Sequence, residues 1–113
     1  MKIAIRFLGL PTSEALRQHS ERQAHLHLAR FERELDSVEI RVRDINGPRG
    51  GEDMECKVSA RGPRVGFTTM AELTSDAYSS VALALSRLAR TVARTLDHAR
   101  GLRGLVPARR SMN

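Results

Sequence analysis

Three stretches of this chain alternate apolar and polar side chains with a period of two, and a fourth is read the same way; long 3.6-residue stripes stand between and after them. Residues 2–8 set Ile3, Ile5 and Phe7 against Lys2, Ala4, Arg6 and Leu8. Residues 37–43 set Val38, Ile40 and Val42 against Glu39, Arg41 and Arg43. Residues 54–61 set Met54, Cys56, Val58 and Ala60 against Glu55, Lys57, Ser59 and Arg61. A strand sends successive side chains to opposite faces, so this alternation predicts a sheet buried on one side only. Residues 64–73 make a fourth strand through Val65, Phe67, Thr69, Ala71 and Leu73, with Phe67 expected in the core.

Two helices complete the pattern. Ser13 offers an N-cap hydroxyl and Glu14 sits where the helix dipole favours an anion, so a helix is expected over 13–35. Its stripe of Leu16, Ala24, Leu28, Phe31 and Leu35 is thin, with Ser20 interrupting it. The last helix is expected from a cap at Thr74 or Ser75 to about Arg100, where Gly101 can end it. At 100° per residue Tyr78, Val81, Leu85, Leu88, Val92 and Leu96 fall within about 80° of one another. The resulting expectation is an α+β domain of order β-α-β-β-β-α, a four-stranded sheet with two helices packed on one face. At 113 residues the chain fits one domain, assigned to 1–100. Residues 101–113, with Gly101, Gly104 and Pro107, read as a disordered basic tail.

The connections carry turn chemistry. Asn46-Gly47 and the further Gly50 and Gly51 in DINGPRGGED (44–53) predict the tip of a long hairpin. GPRGG has backbone amides enough for a phosphate, but it precedes a strand and lacks the Lys-Ser/Thr of a P-loop. It is read as a turn.

Charge narrows the function classes. Of 19 basic side chains all but two are arginines, and the formal net charge is +6. Residues 74–113 hold Arg87, Arg90, Arg94, Arg100, Arg103, Arg109 and Arg110 against Asp76 and Asp97, so most of the excess sits in the last third. Arginine's planar fork suits phosphate, which predicts an anionic partner. Arg87, Arg90, Arg94 and His98 lie opposite the apolar stripe of the last helix. On the sheet's polar face Arg41 and Arg43 are expected to be compensated by Glu39 and Glu55.

Other chemistries are weakly represented. The single cysteine, Cys56, alternates with buried positions and is read as a structural thiol. His25 and His27 diverge by about 200° on a helix and cannot share a metal ion. His19 is expected at the helix–sheet boundary. No nucleophile–base arrangement stands out, and no metal, cofactor or small-molecule substrate is expected. No apolar run is long enough for a membrane span, and MKIAIRFLGL reads as a strand and not a signal peptide, so a cytoplasmic protein is expected. With three phenylalanines read as buried, stacking on splayed bases is not expected, and structured RNA gripped through phosphates is.

Specific segments then carry a resemblance. SEALRQH at 13–19 resembles the start of the first helix in the ribosome hibernation-promoting factor family, also called ribosome-associated inhibitor or sigma-54 modulation proteins. SDAYSSVALALSRLARTVART at 75–95 is similar to that family's final helix, and DINGPRGGED followed by Met54-Glu55-Cys56 resembles a bacterial subgroup. The likeness spans roughly residues 1–100 and is to short-form members. It implies a non-enzymatic translation inhibitor that binds 16S rRNA of the small ribosomal subunit in the mRNA–tRNA channel. By position it implies rRNA contacts from Arg87, Arg90 and Arg94 and from Arg17 and Arg22 on the first helix; His98 and Arg100 are further candidate rRNA-binding residues on the last helix. Gln23 and Leu26 stand where relatives often carry lysine. Two other readings remain: a regulatory protein-interaction module using the Arg face on an acidic partner, and an enzyme using a first-helix histidine.

Overall fold

A computed structural model describes residues 1–45 and 53–105, the last six by their backbone alone. The elements are β1 (Lys2–Leu8), α1 (Glu14–Leu28), β2 (Ser37–Asp44), β3 (Met54–Gly62), β4 (Gly66–Thr74) and α2 (Ala77–Leu105). The sheet order is β1-β2-β3-β4. β1 runs parallel to β2, reached by the α1 crossover, while β2–β3 and β3–β4 are antiparallel. Both helices lie on one face, α2 over β3 and β4 and α1 alongside α2. This is the expected α+β architecture.

The core lies between sheet and helices. Val38, Ile40 and Val42 of β2 and Cys56, Val58 and Ala60 of β3 are buried against Val81, Leu85, Leu88, Val92 and Leu96 of α2. Each large aliphatic side chain so buried contributes about 1.5–3 kcal/mol. Leu16, Ala24 and Leu28 attach α1 to the same core.

Five local expectations need correcting. α1 stops at Leu28, and Ala29–Phe31 form a 3₁₀ turn. Phe31 and Leu35, the last members of the expected stripe, are nonetheless both buried in the core. The cap of α2 is Asp76, whose Oδ2 accepts from the Ser79 N–H at 3.1 Å and the Ser79 hydroxyl at 3.0 Å. Tyr78 is off the core stripe and half exposed, its ring edge-to-face with His19 at 4.8 Å. His19 thus sits between the helices, with Nε2 3.1 Å from the Tyr78 carbonyl oxygen. Finally, α2 runs through Gly101 to Leu105. The expected tail therefore begins as helix; its remainder at 106–113 and the hairpin tip expected within 46–52 lie outside the described residues.

The fifth correction has the largest consequence. Phe67 faces solvent at 56% exposure, with Leu73 on the same side. The β3–β4 loop is Pro63-Arg64-Val65, closed by the Gly62–Gly66 pair. Gly66 has φ +73°, a left-handed conformation that breaks the alternation. Val65 therefore turns inward while Phe67 turns out. The pairing register carries this along the strand: Phe67 lies beside Arg61, Ala71 beside Lys57 and Leu73 beside Glu55, all outward positions of β3.

Candidate nucleic-acid interface

α2 builds its basic column by burying the opposite face. With Val81, Leu85, Leu88 and Val92 in the core, Arg87, Arg90 and Arg94 must project into solvent, and all three are exposed. They span about 10 Å of helix axis at 1.5 Å per residue. Among the described residues Arg90 has no ion pair, and Arg94 makes only a 3.4 Å contact from its guanidinium to the Thr91 hydroxyl. Arg87 differs: it is ion-paired to Glu72 on the inward side of β4, which ties it to the edge of the sheet. His98 is exposed further along the same face. Arg100 continues the helix, with only its backbone described.

The α1 residues do not join this column. Arg17 is half-buried, its guanidinium 5.7 Å from the Phe7 ring on β1. β1 and β4 are opposite edges of the sheet, so Arg17 and Arg87 mark opposite flanks of the helix layer, on strands about 14 Å apart at their backbones. Arg22 points outward from α1 and lines an open shelf of about 870 Å³ with Gln18, Glu21, Gln23, His25 and Leu26. His25 and Glu21 are one turn apart there, on a surface that does not shield a reacting group from water. Among the described residues no group of three or more His, Cys, Asp or Glu side chains is placed to hold a metal.

The uncovered sheet face holds a second basic region. Lys2, Arg6, Arg41, Arg43, Lys57 and Arg61 are exposed there against Glu39 and Glu55. Glu39 lies between Arg6 (3.0 Å) and Arg41 (3.4 Å), and Glu55 pairs with Arg43 at 3.2 Å. The expected compensation at Arg41 and Arg43 is thus present. Lys2, Lys57 and Arg61 have no ion pair among the described residues, and the Arg61 guanidinium lies 4.7 Å from the Phe67 ring centroid.

This architecture occurs in known structures. A ribosomal subunit interface protein from Coxiella burnetii superposes with a TM-score of 0.69 at 18% identity, covering 83% of this chain and 96% of that one. The N-terminal domain of Thermus thermophilus Protein Y gives 0.63 at 21% identity, covering 83% of this chain and 98% of that one. The chain has their fold. No family model and no curated protein matches it at the level of sequence. No helix among the described residues is long and apolar enough to cross a membrane.

Sequence reasoning missed the aromatic on the sheet face. The signal was present in the loop length: a hairpin closed at Gly62–Gly66 pairs the inward Cys56, Val58 and Ala60 with Glu72, Met70 and Thr68, leaving the odd-numbered residues outside.

Proposed function

We propose that the protein is a member of the ribosome hibernation-promoting factor family and acts, without catalysis, as a ribosome-associated translation inhibitor. In this reading it binds 16S rRNA of the small subunit in the mRNA–tRNA channel. The observation that carries the reading is the Arg87–Arg90–Arg94 column on α2, held outward by the buried stripe, in a fold shared with a ribosomal subunit interface protein. Arginines three and four apart project from one helix face at roughly 5–6 Å intervals, a spacing that suits successive phosphates of an RNA strand. Arg90 and Arg94 supply the uncompensated charge, and in this reading His98 and Arg100, further along α2, add rRNA contacts. Arg22 adds a separate contact from α1, and Arg17 a weaker one from the far flank.

The test is co-sedimentation with small subunits and inhibition of cell-free translation by a variant with Arg87, Arg90 and Arg94 all changed to Glu. Circular dichroism checks that it folds: the exposed changes at Arg90 and Arg94 should cost no more than about 0.5 kcal/mol each, while Arg87→Glu also loses the Glu72 ion pair and costs more. Loss of both binding and inhibition is expected. A folded variant that inhibits like wild type overturns the reading, and a protein that never co-sediments with ribosomes favours the acidic-partner reading.

A further inference from the structure

The face of the sheet away from the helices has a shape as well as a charge. The strand register aligns Ala4, Glu39, Ser59 and Thr69 in one row across the sheet. Apart from Glu39, which is drawn to Arg6 and Arg41 in the neighbouring row, these are short side chains, and Ser59 and Thr69 tie their hydroxyls together at 3.2 Å. Rows of long side chains flank them, one ending in Arg61 and Phe67, the other carrying Arg41 and Lys57. Short residues between long ones make a trough. Its larger stretch, between Lys2 and Phe67, encloses about 500 Å³, and a further 190 Å³ continues beside Lys57 and Thr69. That is the scale of a site for a small organic group, about 300–1,000 Å³.

We propose that this trough is a second RNA-binding surface, taking a single-stranded segment across the strands with one base stacked on Phe67. Three observations converge on that occupant. Phe67 is a large apolar ring, more than half exposed, on a face where nothing in the fold requires it. Arg61 already lies over the ring, so an arriving base meets an aromatic–guanidinium pair, a platform for stacking that is indifferent to base identity. Lys57 and Arg61, unmatched by carboxylates among the described residues, stand on either wall to receive the flanking phosphates. The one carboxylate in the floor, Glu39, is neutralised between Arg6 and Arg41. An acidic peptide would use the cations and leave the ring idle. A duplex keeps its bases stacked on one another and cannot offer one to Phe67. The surface lies on the opposite side of the molecule from the α2 column, so occupying one leaves the other open. The choice of RNA over DNA rests on the ribosomal reading; the stacking chemistry does not.

Fluorescence anisotropy with a labelled ten-nucleotide oligouridine at low salt, in the absence of ribosomes, tests the proposal. Phe67→Ala should weaken binding about five- to 100-fold, and Phe67→Leu should lose as much although it stays apolar. Phe67→Tyr should bind within about twofold of wild type. The variant with Arg87, Arg90 and Arg94 changed to Glu should still bind the oligomer, which separates failure here from failure of the helix column. Absence of saturable binding, a Phe67→Leu protein that binds like wild type, or equal binding of a blunt duplex or of polyglutamate would overturn the proposal.

Discussion

The carbonyl oxygen of Glu34 occupies the space where a side chain on Gly62 would have to begin. A Cβ there would overlap that oxygen, with the Glu34 carbonyl carbon at 3.1 Å and the Leu35 Cα at 3.3 Å also in the way. The segment after α1 therefore lies directly against the end of β3, where the Asp36 N–H donates to the Arg61 carbonyl at 2.7 Å and the Lys2 N–H to the Asp36 carbonyl at 3.0 Å. One bare backbone position lets three strand ends meet.

Gly62→Ala should accordingly destabilise the fold by about 2–4 kcal/mol or prevent folding, because the obstacle is main chain and cannot rotate away. Gly66→Ala is the control. Nothing lies within 4 Å of its Cβ, but φ is +73°, so it should cost only about 1–2 kcal/mol. Urea denaturation of both variants checks the ranking.

Ser20→Ala should stabilise the protein by about 1 kcal/mol. Ser20 is fully buried in α1 and its hydroxyl has no hydrogen-bond partner among the described residues. Removing an unsatisfied buried hydroxyl and substituting the best helix former act in the same direction. An unchanged or lower midpoint in urea would count against this account of the thin α1 stripe.

Cys56 should be inert in the folded state and should couple stability to alkaline pH. Burial first, and the neighbouring Glu55 charge second, push its thiol from 9.0 up to about 12. The folded protein holds that proton more tightly than the unfolded chain does. The associated stability is fully present below pH 9 and is lost as pH rises toward 12. Wild type should therefore lose stability more steeply than Cys56→Ala over that window, with the two running parallel below pH 9. A maleimide should label Cys56 at neutral pH only after denaturation.

Binding to small subunits should weaken steeply with salt, because each neutralised phosphate releases counterions. Arg90→Ala and Arg94→Ala should each lower the slope of log affinity against log salt by about one. Arg17→Ala should change it less, since that side chain is packed at the opposite flank beside Phe7. Filter binding between 50 and 200 mM potassium chloride reads all three.

The parts of this molecule legible in its sequence are those governed by local rules. The faces of β1, β2 and β3 follow from alternation, the Ser13 cap from its hydroxyl, which accepts from the Leu16 N–H at 3.1 Å, and the outward Arg90 and Arg94 from helical periodicity. What escaped depends on geometry between elements. The phase of β4 is set by the left-handed Gly66 and the loop it closes, so Val65 and Phe67 part ways despite being two residues apart. α1 ends at Leu28 in a 3₁₀ turn although the apolar spacing continues through Phe31 and Leu35, both buried, so periodicity alone gives no sign of the stop. Periodicity within single helices also cannot say that Arg17 and Arg87 face opposite edges of the sheet.

The exposed side of β4 bears on how copies of the molecule behave toward one another. β4 is an edge strand of nine residues, GFTTMAELT, with no proline, lysine or arginine to discourage a second strand from adding to its free main-chain groups. Its only charge, Glu72, is turned toward the helices and occupied by Arg87. Long-range repulsion from a net charge of +6 is what opposes edge-to-edge association, and that repulsion fades within about 10 Å at 0.1 M salt. Colloidal stability and nucleic-acid affinity thus draw on the same arginines, and neutralising the charge to silence binding would also remove the guard on that edge.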